Sequence, residues 1–212
     1  MDKKKNQGKK RIGIMGGTFN PVHMGHLLLA ESAYEQLELD TVWMMPNAVP
    51  PHKAGQQILP KEHRIAMLKL AIEENPHFQL SLFEKEDKAH YSYETMEALN
   101  KAYPDCIFYY LMGSDSLFAI EEWVEYRRFL AACHVLAASR KDGNWQELSE
   151  WAGLLREKYQ AEITLIESPI MEISSSEIRN RKREDKSIRY LVPESVFYYI
   201  EKHDFYRKEP EI

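Results

Sequence analysis

Short apolar runs alternate with amphipathic stretches along the chain, and this alternation constrains the fold more than any other feature. Six apolar runs predict β-strands, at residues 11–15, 41–45, 78–83, 106–112, 134–138 and 163–166. Between them apolar residues recur three or four positions apart, as they do on one face of a helix; Leu27, Ala30 and Tyr34 form the first such face. Because right-handed crossovers join such units, we predict an α/β fold. It would be a Rossmann-like, doubly wound and mainly parallel sheet with helices on both faces.

The chain contains no internal repeat, low-complexity tract or change in composition that would mark a linker. We therefore predict a single domain at residues 11–206, followed by a short C-terminal tail at residues 207–212. The proline-rich segment 46–60 is interpreted as a long functional loop inside that domain. Two further helices are predicted to begin near Ser174 and Pro193. The second is rich in aromatic residues, which favours packing either on the body of the domain or on a second copy in a homo-oligomer.

The net charge of −5 is unevenly distributed. Residues 1–11 carry a net charge of +5, so the remainder carries −10. A body that acidic argues against a nucleic-acid partner, since neutralising phosphates needs a basic surface. Residues 1–10 are interpreted as a basic, flexible N-terminal tail in solvent.

The cysteine content and the lack of long apolar runs indicate where in the cell the protein is located. The two cysteines, Cys106 and Cys133, exclude a disulfide framework or a CxxC metal site. No apolar run approaches the ~20 residues of a membrane-spanning helix, and the N-terminus lacks the apolar region of a secretory signal. We expect a cytoplasmic protein with no membrane association.

The most informative segment is GIMGGTFNPVHMGH at residues 13–26. An apolar strand runs into Gly16 and Gly17, which allow a ligand to approach the backbone closely. A helix then opens near His23, and its N-terminus offers free N–H groups and positive dipole density to an anion. His23 and His26 share one helical face and could donate hydrogen bonds to phosphate oxygens. The spacing fits neither a Walker P-loop nor GxGxxG, and it nominates no metal site. A turn and helix cap with two surface histidines is the alternative.

A second segment, EISSSEIR at residues 172–179, predicts another helix start. Ser174 and Glu177 have the spacing of a capping box. The hydroxyls of Ser174, Ser175 and Ser176, the free N–H groups and Arg179 would converge there as a second phosphate clamp. An ordinary capped surface helix is the alternative for this segment alone. Two such helix starts in one chain are a stronger indication of phosphate binding than either by itself.

The first segment resembles the signature of the HxGH nucleotidyltransferases, α/β enzymes that join ATP or CTP to a phosphate or carboxylate and release pyrophosphate. The second resembles the ISSTxIR element, which holds the β- and γ-phosphates in that superfamily. Further matches follow in order: residues 50–53, Arg64, residues 92–95, residues 113–117, Trp123, Arg140 and the ending at residues 190–200. Together they are similar to the bacterial nicotinate-nucleotide adenylyltransferases over residues 11–206.

The resemblance implies transfer of AMP from ATP to nicotinate mononucleotide. The products are nicotinate adenine dinucleotide and pyrophosphate, a step in NAD biosynthesis, and Mg²⁺ is carried with ATP. It implies that His23, His26 and Arg179 are the catalytic residues. It implies ATP binding by Gly16, Gly17, Thr18, Phe19, Gly113, Asp115, Ser174, Ser175 and Ser176. It implies binding of the nucleotide acceptor by Asn47, Lys53, Thr95, Trp123 and Arg140. Asn20 stands where the family commonly has Asp.

Several of these residues also have a physical interpretation of their own. Asp115 follows the fourth predicted strand and could accept hydrogen bonds from ribose hydroxyls, or could cap a helix at residues 116–120. Trp123 could stack on a pyridine ring, or could be a partly buried helix residue. Thr95 lies at a helix start, where free N–H groups suit the nicotinate carboxylate, although Glu94 beside it would oppose that charge. Lys53 could reach a substrate phosphate or remain solvated.

Two alternatives of function stay open from the sequence. The chain could be a sensor that binds ATP or NAD without turnover. The same chemistry could instead use nicotinamide mononucleotide or phosphopantetheine as the acceptor.

Overall fold

The computed structural model describes residues 8–47, 58–84, 91–140, 145–169 and 173–207. Six strands in these ranges form one sheet in which every neighbouring pair is parallel. Their order across the sheet is β3-β2-β1-β4-β5-β6. The strands are β1 (Lys10–Gly17), β2 (Thr41–Pro46), β3 (Phe78–Leu80), β4 (Cys106–Gly113), β5 (His134–Arg140) and β6 (Ile163–Ser168). The predicted doubly wound sheet is confirmed.

Eight helices in the described residues cover the two faces of this sheet. Buried residues of α1, α2, α7 and α8 join one apolar core, and those of α3 to α6 join the other. The side chains of β1 alternate accordingly: Ile14 lies in the second core and Met15 in the first. The helices are α1 (Met24–Leu37), α2 (Lys61–Ile72), α3 (Ser92–Ala102), α4 (Ser114–Phe118), α5 (Tyr126–Ala132), α6 (Trp145–Tyr159), α7 (Ser175–Arg183) and α8 (Glu194–Lys202).

Most strands are one to three residues longer than the sequence predicts, and two other boundary differences have a structural reason. Strand β3 has three residues because it lies at the edge of the sheet and pairs with β2 alone; beyond it only the Ser81 N–H still reaches β2, at the Met44 carbonyl. The helix expected at residues 116–120 begins two residues earlier, since Gly113 takes the extended cap conformation (φ −77°, ψ 164°) directly at the end of β4. The predicted helix starts at Ser174 and Pro193 are confirmed, as these residues are the N-caps of α7 and α8.

Strands β1 and β4 lie side by side at the centre of the sheet, where the direction of winding reverses. In open α/β sheets, ligands bind in the crevice outside the carboxyl ends of the strands at such a switch point. The Gly16-Gly17 pair ends β1 and Gly113 ends β4, so both predicted glycine segments lie at this crevice. Within the described ranges, every helix is too short or too polar to cross a lipid bilayer.

Candidate active site

The segment between β1 and α1 places two histidines side by side. His23 is the N-cap of α1, and its backbone N–H donates to Nδ1 of His26 at 3.3 Å. The two imidazole rings stack with their centroids 3.6 Å apart. This arrangement follows from the three-residue spacing, because positions i and i+3 lie on one helical face.

His23 is buried, with 6% of its surface exposed. Burial lowers the pKa of its imidazole from 6.5 to about 4, so the ring is neutral at pH 7. Two imidazolium rings stacked at this distance would repel each other, and the neutral state of His23 avoids that cost. Its Nδ1 atom has no hydrogen-bond partner among the described residues. A buried polar atom left in this state carries a free-energy cost that a ligand could remove.

Gly25 is the glycine of the HxGH pattern, but the sequence prediction assigned it no role of its own. A Cβ atom at this position would lie 3.2 Å from Nδ1 and 3.3 Å from Cε1 of His23. The absence of a side chain therefore leaves room for the His23 ring beside the first turn of α1. The available signal was a glycine in a helical first turn, where alanine has the higher helix propensity.

The start of α7 meets the loop that precedes α1. The Ser175 hydroxyl donates to the Pro21 carbonyl at 2.8 Å, and Nη1 of Arg179 donates to the Asn20 carbonyl at 2.8 Å. The Ser174 hydroxyl accepts the Glu177 N–H at 3.1 Å, which is one half of the predicted capping box. The two helix starts are far apart in sequence, and these bonds bring them together.

Arg179 is partly buried at this junction. Its Nη2 atom donates to the Ser176 hydroxyl at 3.2 Å. Burial lowers the pKa of the guanidinium, and a guanidinium remains cationic in proteins even so. A fixed positive charge therefore stands between the starts of α1 and α7.

A cleft opens between these helix starts and the end of β4. A Cβ atom on Gly113 would meet nothing within 4 Å, so the backbone there is open to a ligand. The exposed Asp115 lies in the first turn of α4 at the same cleft. The residues that line this cleft are His23, Gly25, His26, Leu29, Gly113, Ser114, Asp115, Ala138, Ser168, Pro169 and Ile173.

The remaining predicted residues of the first segment do not line this cleft but pack close to it. Gly16 lies against the Tyr110 hydroxyl, which would be 2.8 Å from a Cβ atom. The Phe19 ring is buried in the core, packs on Gly17 and meets the His26 ring edge-on at 5.0 Å. Phe19 therefore packs against the His26 ring from the buried side.

Arg64 matches the family pattern, but no role could be predicted for it from the sequence. It is 1% exposed, and its Nη1 atom donates to the carbonyls of Thr18 at 2.7 Å and Asn47 at 3.0 Å. Asn47 in turn donates its N–H to the Gly17 carbonyl at 2.9 Å. Arg64 thus ties together the segments that follow β1 and β2. An arginine on an otherwise apolar helical face was the available signal.

A second group of predicted residues gathers around Tyr110, on the face of the sheet covered by α3 to α6. Burial raises the pKa of its hydroxyl to about 12, and this hydroxyl bonds to the side chain of Ser92. The Trp123 ring meets the Tyr110 ring edge-on at 6.2 Å and is partly buried. The Thr95 hydroxyl donates to the buried carboxylate of Glu84 at 2.6 Å. Trp123 and the start of α3 therefore lie near the end of β1, apart from the histidine pair.

Two predicted residues cannot be placed in the site. Lys53 lies outside the described residues. Arg140 ends β5, where its backbone pairs with Ser168, and its side chain is outside the described part. Among the residues that are described, no three His, Cys, Asp or Glu side chains converge as a metal site.

Comparison with known proteins extends these observations. The sequence model of the cytidylyltransferase-like family matches residues 14–181. A relative from Lachnoclostridium phytofermentans, named probable nicotinate-nucleotide adenylyltransferase, is 43% identical over 198 residues, which cover 93% of this chain and 99% of the relative. A relative of the same name from Bacillus cytotoxicus is 39% identical, covering 93% of this chain and 98% of its own length.

Solved structures with this fold include a nicotinic acid mononucleotide adenylyltransferase from Plasmodium falciparum. In its complex with NaAD it superposes on this chain with a TM-score of 0.78 at 19% identity, covering 93% of this chain and 97% of the other. Its complex with APC gives a TM-score of 0.76 over the same shares. At this identity the likeness concerns the fold.

Proposed function

The chain belongs to the nicotinate-nucleotide adenylyltransferases of the cytidylyltransferase-like family, and on that basis we propose that it transfers the AMP moiety of ATP to nicotinate mononucleotide. The products are nicotinate adenine dinucleotide and pyrophosphate, which is a step in NAD biosynthesis. One observation carries the assignment of the site. The starts of α1 and α7 are bonded to each other beside the switch point of the sheet, with His23, His26 and Arg179 at their junction.

The reaction needs charge stabilisation more than proton transfer. The phosphate of the acceptor is already ionised at pH 7, so it attacks the α-phosphorus of ATP without a general base. The pyrophosphate that leaves carries negative charge away, and groups fixed in advance around it stabilise the transition state. We assign that role to His23, His26, Arg179 and the start of α7 at residues 174–176.

The protonation state of His23 fits this role. In the free protein its imidazole is neutral because it is buried. A bound triphosphate brings negative charge to the ring and favours the protonated form. Nδ1 then gains the partner that it lacks among the described residues, and the ring donates a hydrogen bond to a phosphate oxygen. Gly25 supports this step by leaving space for the ring.

ATP would lie over the ends of β1 and β4. We assign Gly16, Gly17, Thr18 and Phe19 to the side of ATP that faces the end of β1, and Gly113 would allow the nucleotide to approach the backbone after β4. The exposed carboxylate of Asp115 is placed to accept from ribose hydroxyls. ATP enters as its Mg²⁺ complex, so the metal belongs to the substrate.

The acceptor would occupy the region between Trp123 and the start of α3. The Trp123 ring stacks on the pyridine ring, and the first N–H groups of α3 receive its carboxylate, because such groups lack intrahelical partners. The expectation of a free N–H at Thr95 is wrong, because its N–H donates to the Tyr91 carbonyl and its hydroxyl to Glu84, so Thr95 supports the start of α3 from within the helix. Asn47, Lys53 and Arg140 complete the proposed acceptor contacts.

The activity is tested by incubating the protein with ATP, Mg²⁺ and each acceptor separately. Product dinucleotide is measured by chromatography and pyrophosphate by a coupled assay. Nicotinate mononucleotide should give nicotinate adenine dinucleotide and one equivalent of pyrophosphate. Faster turnover with nicotinamide mononucleotide or phosphopantetheine would reassign the acceptor. ATP binding without any turnover would favour the sensor. We further propose a cytoplasmic location and a domain spanning residues 11–206.

A further inference from the structure

The last described residues fold back onto the loop that carries the histidines. We call residues 203–207 the C-terminal strap. Within it, the Tyr206 hydroxyl donates to Oδ1 of Asn20 at 2.9 Å. Asn20 is 3% exposed, and the same oxygen accepts the Leu59 N–H at 3.3 Å. The strap therefore contacts the site through one buried side chain.

The strap is anchored independently of that contact. The ring of Phe205 meets the ring of His63 edge-on at 4.8 Å, and the His203 ring lies 5.4 Å from His63. The ring of Tyr199, on α8, lies 4.4 Å from the His203 ring, and this contact does not depend on the Tyr199 hydroxyl. These aromatic contacts fix the strap against α2 and α8. They therefore position the Tyr206 hydroxyl independently of its hydrogen bond to Asn20.

Tyr206 also stands close to both arginines of the site. The charges of Arg179 and Arg64 lower the pKa of its hydroxyl, but burial raises that pKa by more. The hydroxyl therefore stays protonated at neutral pH and acts as a donor. Arg179 donates to the backbone carbonyl of Asn20 and Tyr206 to its side-chain oxygen, so the two hold the same residue from two directions.

The loop between β1 and α1 is thus fixed by four side chains from three distant parts of the chain: α2, α7 and the C-terminal strap. Arg64 holds the Thr18 carbonyl, Ser175 holds the Pro21 carbonyl, and Arg179 and Tyr206 hold Asn20. His23 follows this segment by two residues. A small shift of Asn20 would move both the His23 ring and the guanidinium that is bonded to the Asn20 carbonyl.

We propose that Tyr206 is a positioning residue for AMP transfer: through Asn20 it sets the relative placement of His23 and Arg179. This inference rests on the proposed function. Because Tyr206 acts on the placement of groups that stabilise the transition state, its loss should lower kcat while leaving the KM of each substrate nearly unchanged.

The test compares Tyr206→Phe with Tyr199→Phe. Each variant removes one hydroxyl from the same aromatic cluster, but the Tyr199 hydroxyl bonds to His63 and not to the loop. Tyr206→Phe should lower kcat about tenfold, equivalent to 1.36 kcal/mol of barrier, with both KM values within twofold. Tyr199→Phe should leave kcat within twofold. Hydrogen exchange followed by mass spectrometry should show faster exchange in peptides covering residues 18–26 in Tyr206→Phe alone.

The outcomes separate this inference from the function on which it rests. If the unmodified protein forms no dinucleotide, both are wrong. If it is active and Tyr206→Phe retains full kcat or unchanged exchange at residues 18–26, only the role of Tyr206 is refuted. Equal losses of kcat in the two variants would also refute it, because the effect would then be a general loss of packing.

Discussion

Replacing Gly25 by alanine separates the function of α1 from its stability. The new Cβ atom would lie 3.2 Å from Nδ1 and 3.3 Å from Cε1 of His23. Ordinary van der Waals contacts begin near 3.4 Å, so the imidazole must move by a few tenths of an ångström. The ring would then be displaced from the place where we expect it to meet the triphosphate.

The two effects of this substitution differ in size. A misplacement of 1 Å costs roughly a hundredfold in rate, so a shift of about 0.2–0.3 Å should lower kcat roughly threefold. Alanine is the better helix former by about 1 kcal/mol, which offsets most of the cost of crowding at the ring. We therefore expect the free energy of unfolding to change by no more than about 1 kcal/mol, or roughly 4 °C in Tm.

Gly153→Ala provides the matched control. Gly153 lies in α6, and a Cβ atom there would meet nothing within 4 Å. This variant should gain up to about 1 kcal/mol of stability with kcat unchanged. Steady-state kinetics and urea denaturation of both variants test the reasoning. Gly25→Ala with the same kcat as Gly153→Ala would refute it, and so would a parallel loss of stability and activity.

Three further results are expected. His23→Ala should lower kcat roughly 10²–10³-fold with a small change in Tm, and equal loss of folding and turnover would contradict the assignment. Trp123→Leu should raise the KM for nicotinate mononucleotide severalfold and leave the KM for ATP unchanged; a larger effect on ATP would exclude stacking on the pyridine ring. The unfolded chain protonates His23 near pH 6.5 and the folded chain only near pH 4, so stability falls as the pH drops through that window. Between pH 7 and pH 5 the unmodified protein should lose about 2 kcal/mol more than His23→Gln in urea denaturation, and equal losses would show that the imidazole is not buried in its neutral form.

The fold could be predicted from the sequence because its signals are local. All six apolar runs became strands, and the helix starts marked by His23, Ser174 and Pro193 were placed correctly. The errors were at boundaries, where pairing with a neighbouring strand decides the length. Residues 78–83 were interpreted as one strand, but only three of them pair with β2.

The contacts that build the site could not be predicted in the same way. They join residues far apart in sequence, such as Ser175 with Pro21, and no periodicity encodes such a bond. Arg64 is a case in point: its position on α2 was visible, but its three carbonyl partners lie in loops whose paths depend on the whole fold. The family resemblance predicted which residues belong to the site. The hydrogen bonds of the structure then showed that some of them, such as Arg64, hold the site's loops in place.

Asn20 shows how the two kinds of information combine. The resemblance described above implies Asp at this position, so Asn20 would suggest a lost charge or metal contact. In the structure the side-chain oxygen accepts hydrogen bonds from Tyr206 and from the Leu59 N–H, and an amide oxygen serves both as well as a carboxylate would. The charges of Arg64 and Arg179 both reach the Tyr206 hydroxyl. A neutral residue at position 20 leaves their two positive charges uncompensated from that side, which favours the approach of a polyanion such as ATP. Asparagine at this position therefore preserves the loop that positions His23 and is compatible with AMP transfer.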